Sequence, residues 1–341
     1  MSTSTQPVTF SDLYADLMSR ARVDANQTIN AVVARRFINT GLYDMHLGNG
    51  ERFPWAERNA RLLTQPSYQT GTVSVAQGST SVVGVGSAWN TVNAFGAANV
   101  RAGGKIVFAG DETVYEVLSV ASNLALTLTD VYRGPTLSGG SYLYFEDEYD
   151  LAADFLKPLD KTRFDGRGEI PIIDRREFRR RFTRITTTGP VIACAIFDKA
   201  FAGDTTPRRR VRLYRPPSEA RYIPYAYVTS NLAVTATGVE QAQLLNDTDE
   251  PIVPLYARHL IVLKALEHWY RDKKNDSRSQ EAKAEYVDGV TRLLGDVEVG
   301  AQRPQFQPNV SGYVRRSRTP YRGNGRTRKH TLGTAFDENL E

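Results

Sequence analysis

The spacing of hydrophobic positions changes period along this chain. Phe10, Leu13 and Leu17 recur three and four residues apart. That spacing predicts a short helix opening at Ser11, whose hydroxyl is placed to cap its first turn, and running to about Arg22. A second amphipathic helix is expected from Asp24, with Ile29, Val32, Val33 and Phe37 on its apolar side and Gly41 placed to end or kink it. After Pro54-Trp55 the pattern becomes short β-branched runs broken by glycine: GTVSVAQGSTSVVGVGSAW, GKIVFAG, TVYEVLSV, LALTLTDV and SYLYF. Alternation within VSV and VYEV, with turn residues at regular intervals, predicts a small antiparallel barrel or sandwich. A second β-rich stretch has RVRLYRPP and ARYIPYAYV as its clearest strands. Within it, DRREFRRRFTRI spaces Phe178 and Phe182 four apart, as one short helix would. The helical period then returns. Leu260, Leu263, Leu266, Trp269 and Tyr270 form a stripe, the polar break DKKNDS follows, and a last helix is expected from Ser277 to about Leu294. Helices joined by so short a link pack antiparallel.

Helical sequence at both ends with β sequence between them predicts an α+β fold, in which N- and C-terminal helices form one antiparallel helical bundle and β-barrel or β-sandwich modules are inserted into it. The expected divisions are residues 10–67 with 251–297 for the bundle, 68–147 for the small barrel or sandwich, and 148–250 for the second β-rich region. Residues 298–341 are expected to form an extended basic arm, because prolines and glycines recur there without apolar periodicity.

Composition narrows the function. Hydrophobic residues make up 41% of the 341 and charged residues 24%, as in ordinary globular proteins. No apolar run approaches the roughly 18 residues a membrane helix needs, so no membrane role is expected. MSTSTQPVTFSDLY has neither the basic nor the apolar region of a secretory signal, so synthesis in a cytoplasm is expected. Cys194 is the single cysteine, which excludes an intramolecular disulfide, and its apolar surroundings VIACAIF predict burial. The net charge is +5, yet residues 303–330 alone carry eight basic residues and no acid, so the remaining 313 residues sum to −3. Basicity is thus a property of the arm.

Candidate chemistry is sparse, and no enzyme, cofactor or metal is expected. Glu146, Asp147, Glu148, Asp150 and Asp154 form an acidic cluster without the pattern of a calcium loop, and it is expected to be a solvated loop or a subunit contact. His46, His259, His268 and His330 lack metal-binding spacing. Gly84, Gly86, Gly103 and Gly104 do not form a nucleotide cradle and are read as turn formers. There is no GxSxG elbow. Two arginine runs stand out: Arg175, Arg176, Arg179, Arg180, Arg181 and Arg184, and Arg208, Arg209, Arg210 and Arg212. Either run could contact phosphates or the acidic faces of neighbouring subunits, and subunit contacts suit the planar fork of guanidinium.

The order of pieces resembles the head-to-tail adaptors (connector, or tail tubular A-like, proteins) of tailed bacteriophages. Four segments carry the resemblance: VVARRFINTGLYDMH; TGTVSVAQGSTSVVGVGSAW with GGKIVFAG and YEVLSV; EYDLAADFLKPL; and RRRVRLYRPPSEARYIPYAYV followed by DEPIVPLYARHLIVLKALEHWYRDK. Together they span most of residues 20–296. The resemblance implies a homo-oligomeric ring, commonly a dodecamer, at the head-tail interface of a virion. Such a ring sits between the portal protein and tail or nozzle proteins, and the DNA passing through it makes transient, nonspecific contacts. On that reading Phe306, Tyr313 and Tyr321 anchor the arm, and Arg315, Arg316, Arg318, Arg322, Arg326 and Arg328 dock it on the portal or a neighbouring subunit. Arg175, Arg176, Arg179, Arg180, Arg208, Arg209 and Arg210 are candidates for subunit or DNA contacts. The alternative is a tail or baseplate component that binds another protein or a surface glycan through the glycine-rich β module.

Overall fold

The computed structural model describes residues 7–23, 28–49, 53–165, 169–182, 187–200 and 207–301, with side chains to residue 295. In chain order it begins with helices α1 (Phe10–Ala21) and α2 (Thr28–Asn49), then strands β1 (Glu57–Leu63), β2 (Thr72–Val75), β3 (Ser81–Val85), β4 (Lys105–Phe108), β5 (Tyr115–Ser122) and β6 (Ala125–Leu128). Next come β7 (Leu137–Gly140), β8 (Tyr142–Phe145), β9 (Glu148–Asp150), β10 (Phe155–Pro158), helix α3 (Arg175–Arg181), β11 (Ala193–Lys199), β12 (Arg208–Tyr214) and β13 (Tyr222–Thr229). Three two-residue strands, β14 (Ala233–Val234), β15 (Glu240–Gln241) and β16 (Glu250–Pro251), precede helices α4 (Arg258–Asp272) and α5 (Asp276–Ala301). The fold is α+β, with helix and strand in nearly equal share, and its named strands pair antiparallel.

The chain divides into two compact units. Among the described residues, one joins residues 13–41 to residues 255–301; the other comprises Val8–Asp12 and Leu42–Pro254. In the first unit α4 buries Leu260, Ile261, Ala265, Leu266 and Trp269, and α5 buries Ala282, Tyr286, Val290 and Leu294, each four residues after the last. Four-residue spacing keeps such side chains on one helix face, so α4 and α5 close as a helical hairpin. Phe37 meets this pair, edge-on to Trp269 with ring centroids 5.9 Å apart. The expected apolar stripe of α2 is otherwise displaced. Ile29 and Val32 are 70% and 60% exposed, while Ala34 and Ile38 are fully buried. This helix carries apolar residues on opposite sides, so periodicity alone did not choose between them. Gly41 does not end α2, which runs on to Asn49. A Cβ there would lie 3.0 Å from the backbone nitrogen of Ala265, so glycine lets the two helices approach closely.

In the second unit, the start of α1 is capped by Thr9 rather than Ser11. The Thr9 hydroxyl accepts from the Asp12 N–H at 3.4 Å, and the Asp12 carboxylate accepts from the N–H groups of Val8 and Thr9 at 3.1 Å, a reciprocal capping box. The largest sheet has the order β7-β2-β3-β6-β5-β4-β8 and curls into an antiparallel half-barrel. Its interior is filled by Trp89, Phe108, Tyr132 and Tyr144 among β-branched residues. Trp89 Nε1 donates to the Tyr142 hydroxyl at 2.8 Å, which in turn donates to the carbonyl of Thr70, so the polar edges of this aromatic core are satisfied. Gly86 and Gly103 have positive φ, as turn formers do, but Gly84 and Gly104 serve a different purpose. A Cβ on Gly104 would fall 2.1 Å from the Tyr144 hydroxyl, and one on Gly84 2.1 Å from the Ser87 Oγ and 2.9 Å from the Trp89 ring. These two glycines make room for buried side chains.

Two further three-stranded sheets, β1-β13-β10 and β11-β12-β9, share one core that includes Leu62, Phe155, Cys194, Val211, Leu213 and Tyr225. Strand β1, ERNARLL, was not foreseen because only its end is apolar; its ladder with β13, from Glu57↔Val228 to Leu63↔Tyr222, holds it. Cys194 is fully buried, and burial pushes its thiol well above the usual range, so it packs as a small apolar residue.

Candidate functional site

The acidic stretch from Glu146 to Asp150 lies where the chain leaves the half-barrel at β8 and enters the β11-β12-β9 sheet at β9. Strand β8 runs beside β4, placing Phe145 opposite Lys105. Strand β9 runs beside β12, placing Glu148 opposite Arg212 and Asp150 opposite Arg210. Because alternate residues of a strand share a face, Arg208, Arg210 and Arg212 line one side of β12 while Val211 and Leu213 fill the core on the other. The expected arginine run is therefore half of an amphipathic strand, with a strand of acids laid against it.

The result is a network of ion pairs. Lys105 Nζ lies 2.7 Å from Asp147 Oδ2 and 3.3 Å from Glu148 Oε1. Lys199, from β11, reaches Glu148 Oε2 at 2.9 Å and Glu116 at 3.2 Å. Arg212 Nε donates to Asp147 at 2.8 Å, and Arg210 Nε donates to Asp150 at 2.7 Å. Arg101 grips Glu146 with two donors, and the Tyr144 hydroxyl donates to the same carboxylate at 2.7 Å. Asp147 is 1% exposed and Arg210 3%. Charges so deeply withdrawn from water are tolerated only when paired and hydrogen-bonded.

Two expectations are corrected by this geometry. Glu146, Asp147 and Glu148 are neither a solvated loop nor an outward contact, since they are enclosed by cations of the same chain, while Asp150 stays exposed at the end of β9 beside Arg210. Asp154 stands apart and accepts from the hydroxyls of Tyr227 and Thr229 at 2.8 and 2.7 Å. Arg210 is not a surface for subunits or DNA; it is a buried partner of Asp150 and Glu148. Arg209, exposed on the other side of β12, pairs with Asp198 opposite it at 3.1 Å, and Arg208 is exposed at the strand's start.

The electrostatics say what the network can do. Burial pushes the Glu148 carboxyl up, but the charges of Lys105, Lys199 and Arg212 outweigh it and bring its pKa down to about 2. A carboxylate locked in its ionised form has little use as a general acid or base near neutrality, so its role is to hold two sheets together. His46 donates from Nε2 to the Thr229 carbonyl at 2.6 Å, and burial is the main force lowering its pKa. Among the described residues, no group of histidine, cysteine or acidic side chains is arranged to hold a metal ion, and no helix is long and apolar enough to cross a membrane.

The other arginine run behaves differently. Asp174 caps α3 by accepting from the Arg176 N–H at 2.8 Å. That bond first, and the charges of Arg176 and Arg175 after it, hold its carboxyl below the usual range. Phe178 is buried, and Phe182, just past the helix, stacks on Tyr214 at 3.7 Å between centroids. With the aromatic side facing inward, Arg175, Arg176, Arg179 and Arg180 are all exposed. Arg181 pairs with Glu177 one turn back. Arg184 and the arm residues Phe306, Tyr313, Arg315, Arg316, Arg318, Tyr321, Arg322, Arg326 and Arg328 lie outside the described residues.

No protein-family model matches this chain, and no curated protein matches it.

Proposed function

We propose that this chain is a structural subunit of a tailed-phage virion: a head-to-tail adaptor that forms a ring under the portal and continues its DNA channel toward the tail. On this reading the protein performs no chemistry. Its partners are further copies of itself, the portal, tail or nozzle proteins, and the DNA in passage. The observation that carries the proposal is the discontinuous helical unit, in which, among the described residues, 13–41 and 255–301 belong together while β structure occupies the sequence between. That layout agrees with the order of segments on which the adaptor resemblance rests. We take α1, α2, α4 and α5 as the antiparallel bundle of the subunit, and the half-barrel as the module turned toward neighbours or tail. The ion-paired crossover at Glu146–Asp150 fits a mechanical part, because it fixes two sheets to each other without relying on a single contact.

The reading is tested by co-sedimentation with the portal of the same virion. The full chain is expected to travel with the portal, and a chain lacking residues 303–341 to keep its melting transition while losing the association. A full chain that never associates with the portal overturns the proposal. A truncated chain that still does removes the arm as the docking element.

A further inference from the structure

The exposed face of α3 has no role in the fold, and its chemistry names a partner. With 3.6 residues per turn, Arg175, Arg179, Arg176 and Arg180 fan across an arc of about 140° and about 7.5 Å of helix axis. Among the described residues, none of these four guanidiniums is tied into an ion pair, whereas Arg181 on the other side of the helix holds Glu177. The helix cannot turn them away. Phe178 is 2% exposed in a cluster with Phe145 and Ala195, and the Phe182–Tyr214 stack fixes the helix end. Arg175 and Arg179 also line a cleft of about 240 Å³ together with Lys199, Arg212, Glu148 and Asp198. Lys199 and Arg212 are already matched there by Glu148 and Asp147, so the cations left over for a partner are those of the helix face.

We infer that this face of α3 binds the phosphate backbone of duplex nucleic acid without regard to sequence. Guanidinium is the side chain best matched to phosphate oxygens, and a short helix fixes the backbone that presents several of them, so only the side chains remain to be ordered on binding. A bilayer fits the surface less well, since Phe178 and Phe182 face inward and, among the described residues of α3, no apolar side chain is exposed to enter the membrane. An acidic protein surface fits less well than a duplex. Where this chain pairs arginine with carboxylate, as Arg210 with Asp150 and Glu148, the acids lie on one strand beside it. A fan of guanidiniums over an arc of about 140° instead addresses charges on two sides at once, as the two phosphate strands beside a groove provide. The inference does not depend on ring formation, because it concerns a surface present in each copy.

The test is fluorescence anisotropy of the full chain with a labelled mixed-sequence duplex of about 30 base pairs, across salt from about 50 to 200 mM. The comparison is with the variant carrying Arg175→Gln, Arg176→Gln, Arg179→Gln and Arg180→Gln. Both proteins keep the basic arm, so its contribution is common to both. The variant is expected to bind about tenfold or more weakly at the lower salt, with a log-log salt slope shallower by roughly three to four. Its melting transition should be unchanged. Equal affinity and equal slope in the two proteins overturn the inference. So does polyglutamate, or a vesicle of anionic lipid, that binds through the same four arginines as tightly as the duplex does.

Discussion

Two seven-residue segments, RREFRRR in α3 and RRRVRLY in β12, have nearly the same composition and opposite fates. In β12 the two-residue period gathers Arg208, Arg210 and Arg212 on one face, and β9 lays Glu148 and Asp150 directly against it. In α3 the hundred-degree step spreads the arginines around the helix, two phenylalanines take the inner side, and no acidic strand lies opposite. Arginine density therefore says little about use. What decides it is the geometry of the backbone that carries the arginines, together with the carboxylates that geometry brings within reach. Arg210 and Arg212 of β12 are built into the ion-pair network of the fold, while the four arginines of α3 stay at the surface.

The largest expected effect falls on the interior set. Asp147→Ala leaves Lys105 and Arg212 sharing Glu148 alone, and should cost about 3–5 kcal/mol in chemical denaturation. A loss of only a few tenths would mean that these charges are solvated after all, and the contrast with α3 would vanish. Glu148→Gln keeps the shape and removes the charge, with an expected loss of about 3 kcal/mol at neutral pH. The pH dependence sharpens this. Glu148 has a folded pKa near 2 against an ordinary 4.5, so its contribution is complete above about pH 4.5 and is lost as pH falls toward 2. The variant and the parent should accordingly converge in stability over that window. His46, held neutral by burial, adds a second acid-sensitive step below its ordinary pKa of 6.5, because the unfolded chain gains a proton there that the folded one resists.

A smaller effect tests the scaffold beneath the network. Gly104→Ala drives a methyl group into Tyr144, whose hydroxyl supports Glu146, and should cost about 1–3 kcal/mol by thermal melting. The smallest effect belongs to α3. Each of Arg175→Gln, Arg176→Gln, Arg179→Gln and Arg180→Gln should change stability by less than about 0.5 kcal/mol, since the side chains touch solvent. A large loss there would show that these arginines belong to the fold and would break the comparison from the other side.

Much of this could be read along the chain, and the exceptions have physical causes. The strands of the half-barrel announced themselves through alternation and β-branched residues, as in Val73, Val75, Val82 and Val117, all buried. The stripe of α4 was legible for the same reason. Strand β1 was not, because Glu57, Arg58 and Arg61 mask a segment held by its partner β13 rather than by its own pattern. Gly41 and Gly104 read as punctuation, yet their purpose is close approach to another element, a long-range fact that local sequence does not contain. The acidic cluster read as a loop because its cations come from β4, β11 and β12, dozens of residues away. One signal was present: RVRLY alternates, and alternation of arginine with valine and leucine marks a strand whose charged face needs a partner.

The claim that the chain is a ring subunit is tested most directly by negative-stain electron microscopy of the full-length protein mixed with its portal. The account predicts closed rings with a central opening, stacked on the portal. Isolated monomers beside unaltered portal particles would contradict it.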